Sequence, residues 1–296
     1  MGLNSQRALG ADPSSRAASR RRRWGDSVPS YVILYFWTGL TLLLLGWVVL
    51  NSLKTNPQLF TDPWGFPNPF NLKSYVHAWS VAKMGSYFLN SIVVVLVSVF
   101  ATVFIAAMAA YVLARVNFVG NNLLLYAFIG GMGIPVQLLL VPLFMLLRQF
   151  RLLDSHLGLI LVYIGISLPF TVFVLTGFFR SLPSEMEEAA AIDGCTEFQV
   201  YWKVMLPLAS PGLIAAAMFN FITLWNEYLL ALVLLTDPDL STLSLGMYNL
   251  KTTMTSTADW AALFAGVVIM MVPSLVIYLL LQRFIIEGLT LGAVKG

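Results

Sequence analysis

Six long apolar runs constrain this chain more than any other feature in it. They cover residues 31–53, 86–113, 122–147, 158–179, 210–235 and 262–284. At a rise of about 1.5 Å per residue, each can cross the roughly 30 Å hydrocarbon core of a bilayer. Inside lipid a backbone must satisfy its own hydrogen bonds, so each run is expected to be a helix. Composition supports the same solvent: 58% of the residues are hydrophobic and 10% charged, against about 25% charged in ordinary soluble domains. The mean hydropathy is +0.81. A soluble domain turns most of its side chains to water and could not hide this much apolar surface. A soluble enzyme, a nucleic-acid binder and a disordered chain are therefore set aside. The expected fold class is all-α, a polytopic membrane protein with six transmembrane helices.

The first thirty residues differ in character. They carry Arg7, Arg16 and the run Arg20 to Arg23 among Ser, Ala and Pro, with no apolar period. We expect 1–30 to be a disordered basic cytoplasmic tail and 31–296 to be the membrane domain. A signal peptide fits less well, because the run from Tyr31 to Leu53 exceeds a usual apolar core and no small-x-small site follows it. Six spans put both termini on one side. With the N-terminus inside, the cytoplasmic segments hold 11 of the 17 Lys and Arg residues, Arg115, Arg180, Lys203, Arg283 and Lys295 among them. Basic residues favour the cytoplasmic side, so both termini are expected there. The segment 54–85, with four prolines, Trp64 and Trp79, reads as an ordered outer loop near the interface.

Catalytic chemistry is poorly represented. Cys195 is the single cysteine, and the only histidines, His77 and His156, are far apart. No metal-ligand cluster or nucleophilic triad is expected, and both histidines read as ordinary surface residues. No G-x-x-x-x-G-K-[ST] string exists to hold ATP. One carboxylate, Glu227, falls inside an apolar run. A charge at that depth is a functional candidate by default. It serves either a translocation path, beside Asn226, or a structural contact with a neighbouring helix. An ion-gradient-driven carrier or channel using Glu227 is the alternative function. In the third run, Gly130 to Pro135 and then Pro142 predict a bend, either lining a pore that Gln137 faces or serving packing alone.

The stretch 181–209 between runs four and five is the most informative. Ser184 and Glu187 fit one capping box, and Thr196 and Gln199 a second. Glu185, Glu187 and Glu188 fall in the first turn, where a helix dipole favours acids. Ala189 to Ala191 are strong helix formers, and Gly194 suits a left-handed C′ position. Phe198, Tyr201, Trp202 and Met205 supply an apolar stripe, and Pro207 and Pro211 interrupt the run. The expectation is helix, Gly turn, helix. Such a hairpin either packs on its own bundle at the interface or presents a surface to a cytosolic partner.

The string Glu188-Ala189-Ala190, then Gly194, Val204 and Leu206-Pro207, resembles the EAA motif of ABC importer permeases. Val204 stands where the motif usually has Ile. The continuous EAAAIDG and LPLASPG strings are similar to the carbohydrate-uptake group, the relatives of the maltose permease. Trp225-Asn226-Glu227-Tyr228, Asn51-Ser52-Leu53-Lys54, Tyr111 to Arg115 and the ending from Gly288 fit the same group. The resemblance covers nearly everything after residue 30. It implies a permease subunit of an ATP-driven importer for a sugar or oligosaccharide, forming half of a translocation pore. It implies that Glu188, Ala189, Ala190, Asp193, Gly194, Leu206 and Pro207 meet a cytoplasmic ATPase. It also implies a second, MalF-like permease, an ATPase dimer that binds ATP and Mg, and an extracytoplasmic sugar-binding protein. The chain itself is then no enzyme and carries no cofactor.

Overall fold

The computed structural model describes the backbone of residues 13–257 and 259–293, and the side chains of residues 29–252 and 259–282. Among these residues every regular element is helical. In chain order the helices are α1 (Pro13–Ser52), α2 (Asn56–Thr61), α3 (Lys73–Val76), α4 (Met84–Arg115), α5 (Asn121–Met132), α6 (Val136–Gln149) and α7 (His156–Ser181). They continue with α8 (Glu185–Ile192), α9 (Glu197–Val200), α10 (Leu206–Leu208), α11 (Ser210–Trp225), α12 (Leu229–Leu234), α13 (Leu243–Thr257) and α14 (Trp260–Ala293). Wider turns at His77–Val81 and Tyr201–Met205 extend α3 and join α9 to α10.

Among the described residues, four helices are long and apolar enough to cross a membrane uninterrupted: the 29–52 part of α1, α4, α7 and the 260–282 part of α14. Two further candidates are bent pairs. Helices α5 and α6 meet at 100°, and the α9–α10 segment meets α11 at 69°. Counting each pair as one span gives six. The first bend falls where Gly and Pro announced it: Pro135 has no N–H to continue the ladder, and its extended backbone starts α6.

Two expectations are corrected. Helix α1 begins at Pro13, inside the segment expected to be an irregular tail. Proline is well suited to a first helical turn, and Ala17, Ala18 and the Arg run are strong helix formers, so local propensity carries the helix into the polar stretch. The extreme ends, residues 1–12 and 294–296, lie outside the described residues. The fifth run is also not one helix over 210–235. Helix α11 stops at Trp225, and the chain restarts as α12 at Leu229.

The bundle core has two parts. In one, Ala106, Ala107 and Ala110 of α4 lie against Val172, Leu175 and Phe179 of α7, all nearly inaccessible, together with Tyr201 and Met205. Small residues let membrane helices approach closely where no solvent drives them together. In the other, Val94 and Val95 of α4 pack with Tyr163 of α7, Trp225 of α11 and Leu230 of α12. Large apolar side chains such as Leu89, Phe100 and Leu138 instead point outward, as expected where the surroundings are lipid.

The segment between α1 and α4 is ordered by its own polar contacts. Lys54 is buried and donates to the carbonyls of Asp62 at 2.9 Å and Pro63 at 3.0 Å. Trp47 donates its ring N–H to the same Pro63 oxygen at 3.0 Å. His77 meets Asp259 at 3.0 Å, and Asn56 donates to the other oxygen of that carboxylate. His156 meets the carbonyl of Leu240 at 2.8 Å. Both histidines therefore tie loops together.

Candidate functional site: the loop from α7 to α11

Helix α7 ends at Ser181, and Leu182 turns extended before Pro183, as residues preceding proline do. Helix α8 follows over eight residues, with Glu185, Glu187 and Glu188 in its first turn. It ends where Gly194 takes φ +82°, with Gly194 N–H bonded to Ala191 and Cys195 N–H to Ala190. That conformation is cheap for glycine and strained for other residues. Thr196 then caps α9 as its sequence suggests. Its hydroxyl accepts the N–H of Gln199, whose side chain accepts the N–H of Thr196 at 3.0 Å. The first capping box does not form. Ser184 has helical backbone angles and makes no side-chain cap bond.

Glu187, the other residue of that box, is engaged elsewhere. Its carboxylate turns inward, with Oε1 3.6 Å from Nε of Arg115 at the end of α4. The Tyr111 hydroxyl, one turn earlier on α4, faces the same carboxylate. Arg115 also donates to the carbonyl of Leu182 at 2.6 Å. The tertiary pull on Glu187 thus removes it from a local cap. Tyr111 packs its ring against Phe179 of α7 and Tyr201, with centroids 5.7 and 5.0 Å apart.

The expected contact residues divide between two faces. Glu188, Ala189, Asp193 and Gly194 are exposed, and Pro207 is exposed as well. Ala190 is not available for outward contact: it is 7% exposed and lies in the core beside α4 and α7. Leu206 is half-buried. Two large apolar side chains stand free on the outward surface, Ile192 at 87% and Phe198 at 72% exposure. Sequence reading did not single out Ile192, nor Tyr111, Arg115 and Glu187 as a group. The available signal was the spacing of Tyr111 and Arg115, which puts them on one helix face.

The membrane-embedded candidates separate. Gln137 is exposed near the start of α6 and does not line the apolar groove of about 870 Å³ that the α5–α6 bend leaves against α7. Asn226 is exposed and donates to the carbonyl of Ile222 at 2.8 Å. Glu227 is half-buried and fully engaged. It accepts the Tyr163 hydroxyl at 2.7 Å and the N–H groups of Leu230 at 2.7 Å and Ala231 at 3.3 Å. A carboxylate over the first turn of α12 satisfies amides that the helix cannot. These bonds place Glu227 in contact with both α7 and α12.

A bundle of long and broken apolar helices, with a built two-helix loop at one end, defines a polytopic membrane transport subunit. The chain belongs to the family of binding-protein-dependent transport system inner membrane components, which it matches over residues 102–289. It is 40% identical to the diacetylchitobiose uptake system permease protein NgcG of Streptomyces coelicolor, over 94% of this chain and 92% of that protein. It is 36% identical to the trehalose transport system permease protein SugB of Mycobacterium tuberculosis, over 87% of this chain and 94% of that one. Its fold is similar to a chain of a bacterial ABC transporter that imports the polysaccharide alginate, with a TM-score of 0.72 and 20% identity. That match covers 93% of this chain and 99% of the other. The matched family region contains α8 to α11 complete, so the loop lies within what the family shares.

Proposed function

We propose that this chain is the permease subunit of an ATP-driven importer for a sugar or oligosaccharide, with both termini in the cytoplasm. It forms half of the translocation pore beside a second, MalF-like permease. A cytoplasmic ATPase dimer binds ATP and Mg and docks on residues 184–207. An extracytoplasmic sugar-binding protein delivers the substrate. The chain performs no hydrolysis of its own. The sugar class is supported by relatives named for diacetylchitobiose and trehalose uptake, at 40% and 36% identity.

The observation that carries the coupling role is the outward face of the loop. Glu188, Ala189 and Asp193 are exposed beside Ile192 and Phe198. Exposed apolar groups rimmed by charge and placed on a rigid scaffold suit a protein partner. Helix α8 is too short to be stable in isolation, and its inner face is fixed by Ala190 and Glu187, so the outer face is presented in one orientation. Gln137 and Asn226, exposed polar residues at the two helix breaks, are assigned to the substrate path.

The test is purification of the tagged chain from its own host in mild detergent, with partners identified by mass spectrometry. A stoichiometric ATPase and a second permease are expected. Recovery of the chain alone, even after crosslinking at Cys195, would overturn the reading.

A further inference from the structure

Arg115 and Glu187 stand at a separation that is neither a hydrogen bond nor a loss of contact. Arg115 Nε and Glu187 Oε1 are 3.6 Å apart. Both atoms are sealed from solvent, and neither has a hydrogen-bond partner. Their side chains are only 14% and 22% exposed. A largely buried ion pair that lacks its direct hydrogen bond is costly, and closing this one takes less than 1 Å of travel, since a charge-assisted bond forms at about 2.8 Å. The group on one side belongs to α8, the helix with the outward face. The group on the other belongs to the last turn of α4, whose alanines pack directly on α7.

The surrounding contacts define which bodies the pair joins. Arg115 grips the carbonyl of Leu182, the joint between α7 and α8. Tyr111 touches Phe179 of α7 and Tyr201 of the segment after α9, and turns its hydroxyl to Glu187. Two side chains of one helix face thus reach the α7–α8 joint, α8 and the segment after α9. The other carboxylates of α8 make no such link: Glu185 and Glu188 are exposed.

We infer that Arg115 and Tyr111 are the receiving groups for displacement of α8, with the Arg115–Glu187 pair closing and opening as the loop moves. Adjacent glutamates then divide the work. Glu188 faces the partner, and Glu187 ties α8 to α4. Motion imposed on the outer face reaches the membrane helices through Glu187, and α4 carries it to α7 along their close alanine seam. An element with two positions is the condition for calling such a route a coupling, and the open and closed pair is the one inferred here. It rests on the reading of residues 184–207 as the ATPase-coupling loop.

The complex of this chain with its co-purified ATPase, held in lipid nanodiscs, allows a direct test. Hydrogen–deuterium exchange is followed at residues 185–194 and 107–115, with and without ATP plus vanadate. In the unaltered complex both segments are expected to respond. Glu187→Gln keeps the side-chain shape and removes the charge. It should leave the response at 185–194 in place and reduce that at 107–115 by about threefold. Arg115→Lys, which keeps charge and loses the fork, should do the same, and the double variant should add nothing to either. Tyr111→Phe keeps the ring contacts and provides a milder variant if the others do not assemble. A normal response at 107–115 in Glu187→Gln and Tyr111→Phe would overturn the inference. A missing response at 185–194 in the unaltered complex would instead overturn the coupling-loop reading beneath it.

Discussion

The Tyr163 hydroxyl of α7 donates to the Glu227 carboxylate, at 2.7 Å, across the gap where α11 ends and α12 begins. The same carboxylate caps Leu230 and Ala231. Tyr163 and Leu230 are both fully buried. Glu227→Ala therefore strands a hydroxyl and two amides, at about 1–3 kcal/mol for each buried group left unpaired. Glu227→Gln retains an accepting oxygen and should cost much less. Thermal unfolding in detergent is expected to rank the proteins wild type, then Gln, then Ala. Equal midpoints for wild type and Glu227→Ala would remove the structural role.

Gly194 holds φ +82° between α8 and α9, where an added Cβ meets no neighbouring atom within 4 Å. The penalty for alanine is then conformational alone, about 1 kcal/mol. Proline cannot adopt the angle at all. Gly194→Ala should preserve uptake in cells with a modest reduction. Gly194→Pro should abolish coupling of ATP hydrolysis to uptake while membrane insertion stays normal. Full uptake with Gly194→Pro would contradict the coupling assignment.

The two capping boxes show how far the sequence could be read. Both had the required residue types at the required spacing, and only the one at Thr196 forms. Local pattern decided where nothing else competed for Gln199. At Ser184 a partner 72 residues away in the chain, Arg115, claims Glu187, and no local rule contains that residue. Apolar run length located the membrane helices for the same reason that Thr196 was legible, because lipid imposes a local condition on each residue. The break at 226–228 was hidden because its cause is tertiary, the turning of Glu227 onto α12 and Tyr163. Thr196→Ala is accordingly expected to destabilise the start of α9 by about 1 kcal/mol, and Ser184→Ala to change the start of α8 by no more than a few tenths of that. Amide exchange in the two first turns separates the cases, and equal effects would refute the distinction.

Asp154 gives the chain an acid-sensitive clasp outside the membrane helices. It lies between α6 and α7 at φ 54°, and its Oδ1 accepts the N–H groups of Thr236 at 2.8 Å and Asp237 at 2.9 Å. Those bonds hold its carboxyl below the ordinary value of 3.8, because they favour the ionised form. The unfolded chain then binds the proton more readily than the folded one. The resulting stability is fully present above 3.8 and is lost as pH falls through the lower folded value. Asparagine tolerates the left-handed backbone equally well and retains an accepting oxygen, so Asp154→Asn isolates the charge. The midpoint of wild type should exceed that of Asp154→Asn above about pH 5. The gap should narrow steadily as the solution is taken below pH 3.8. A gap that stays constant through that range would show that the charge at Asp154 has no part in holding the segment from Leu235 to Asp237.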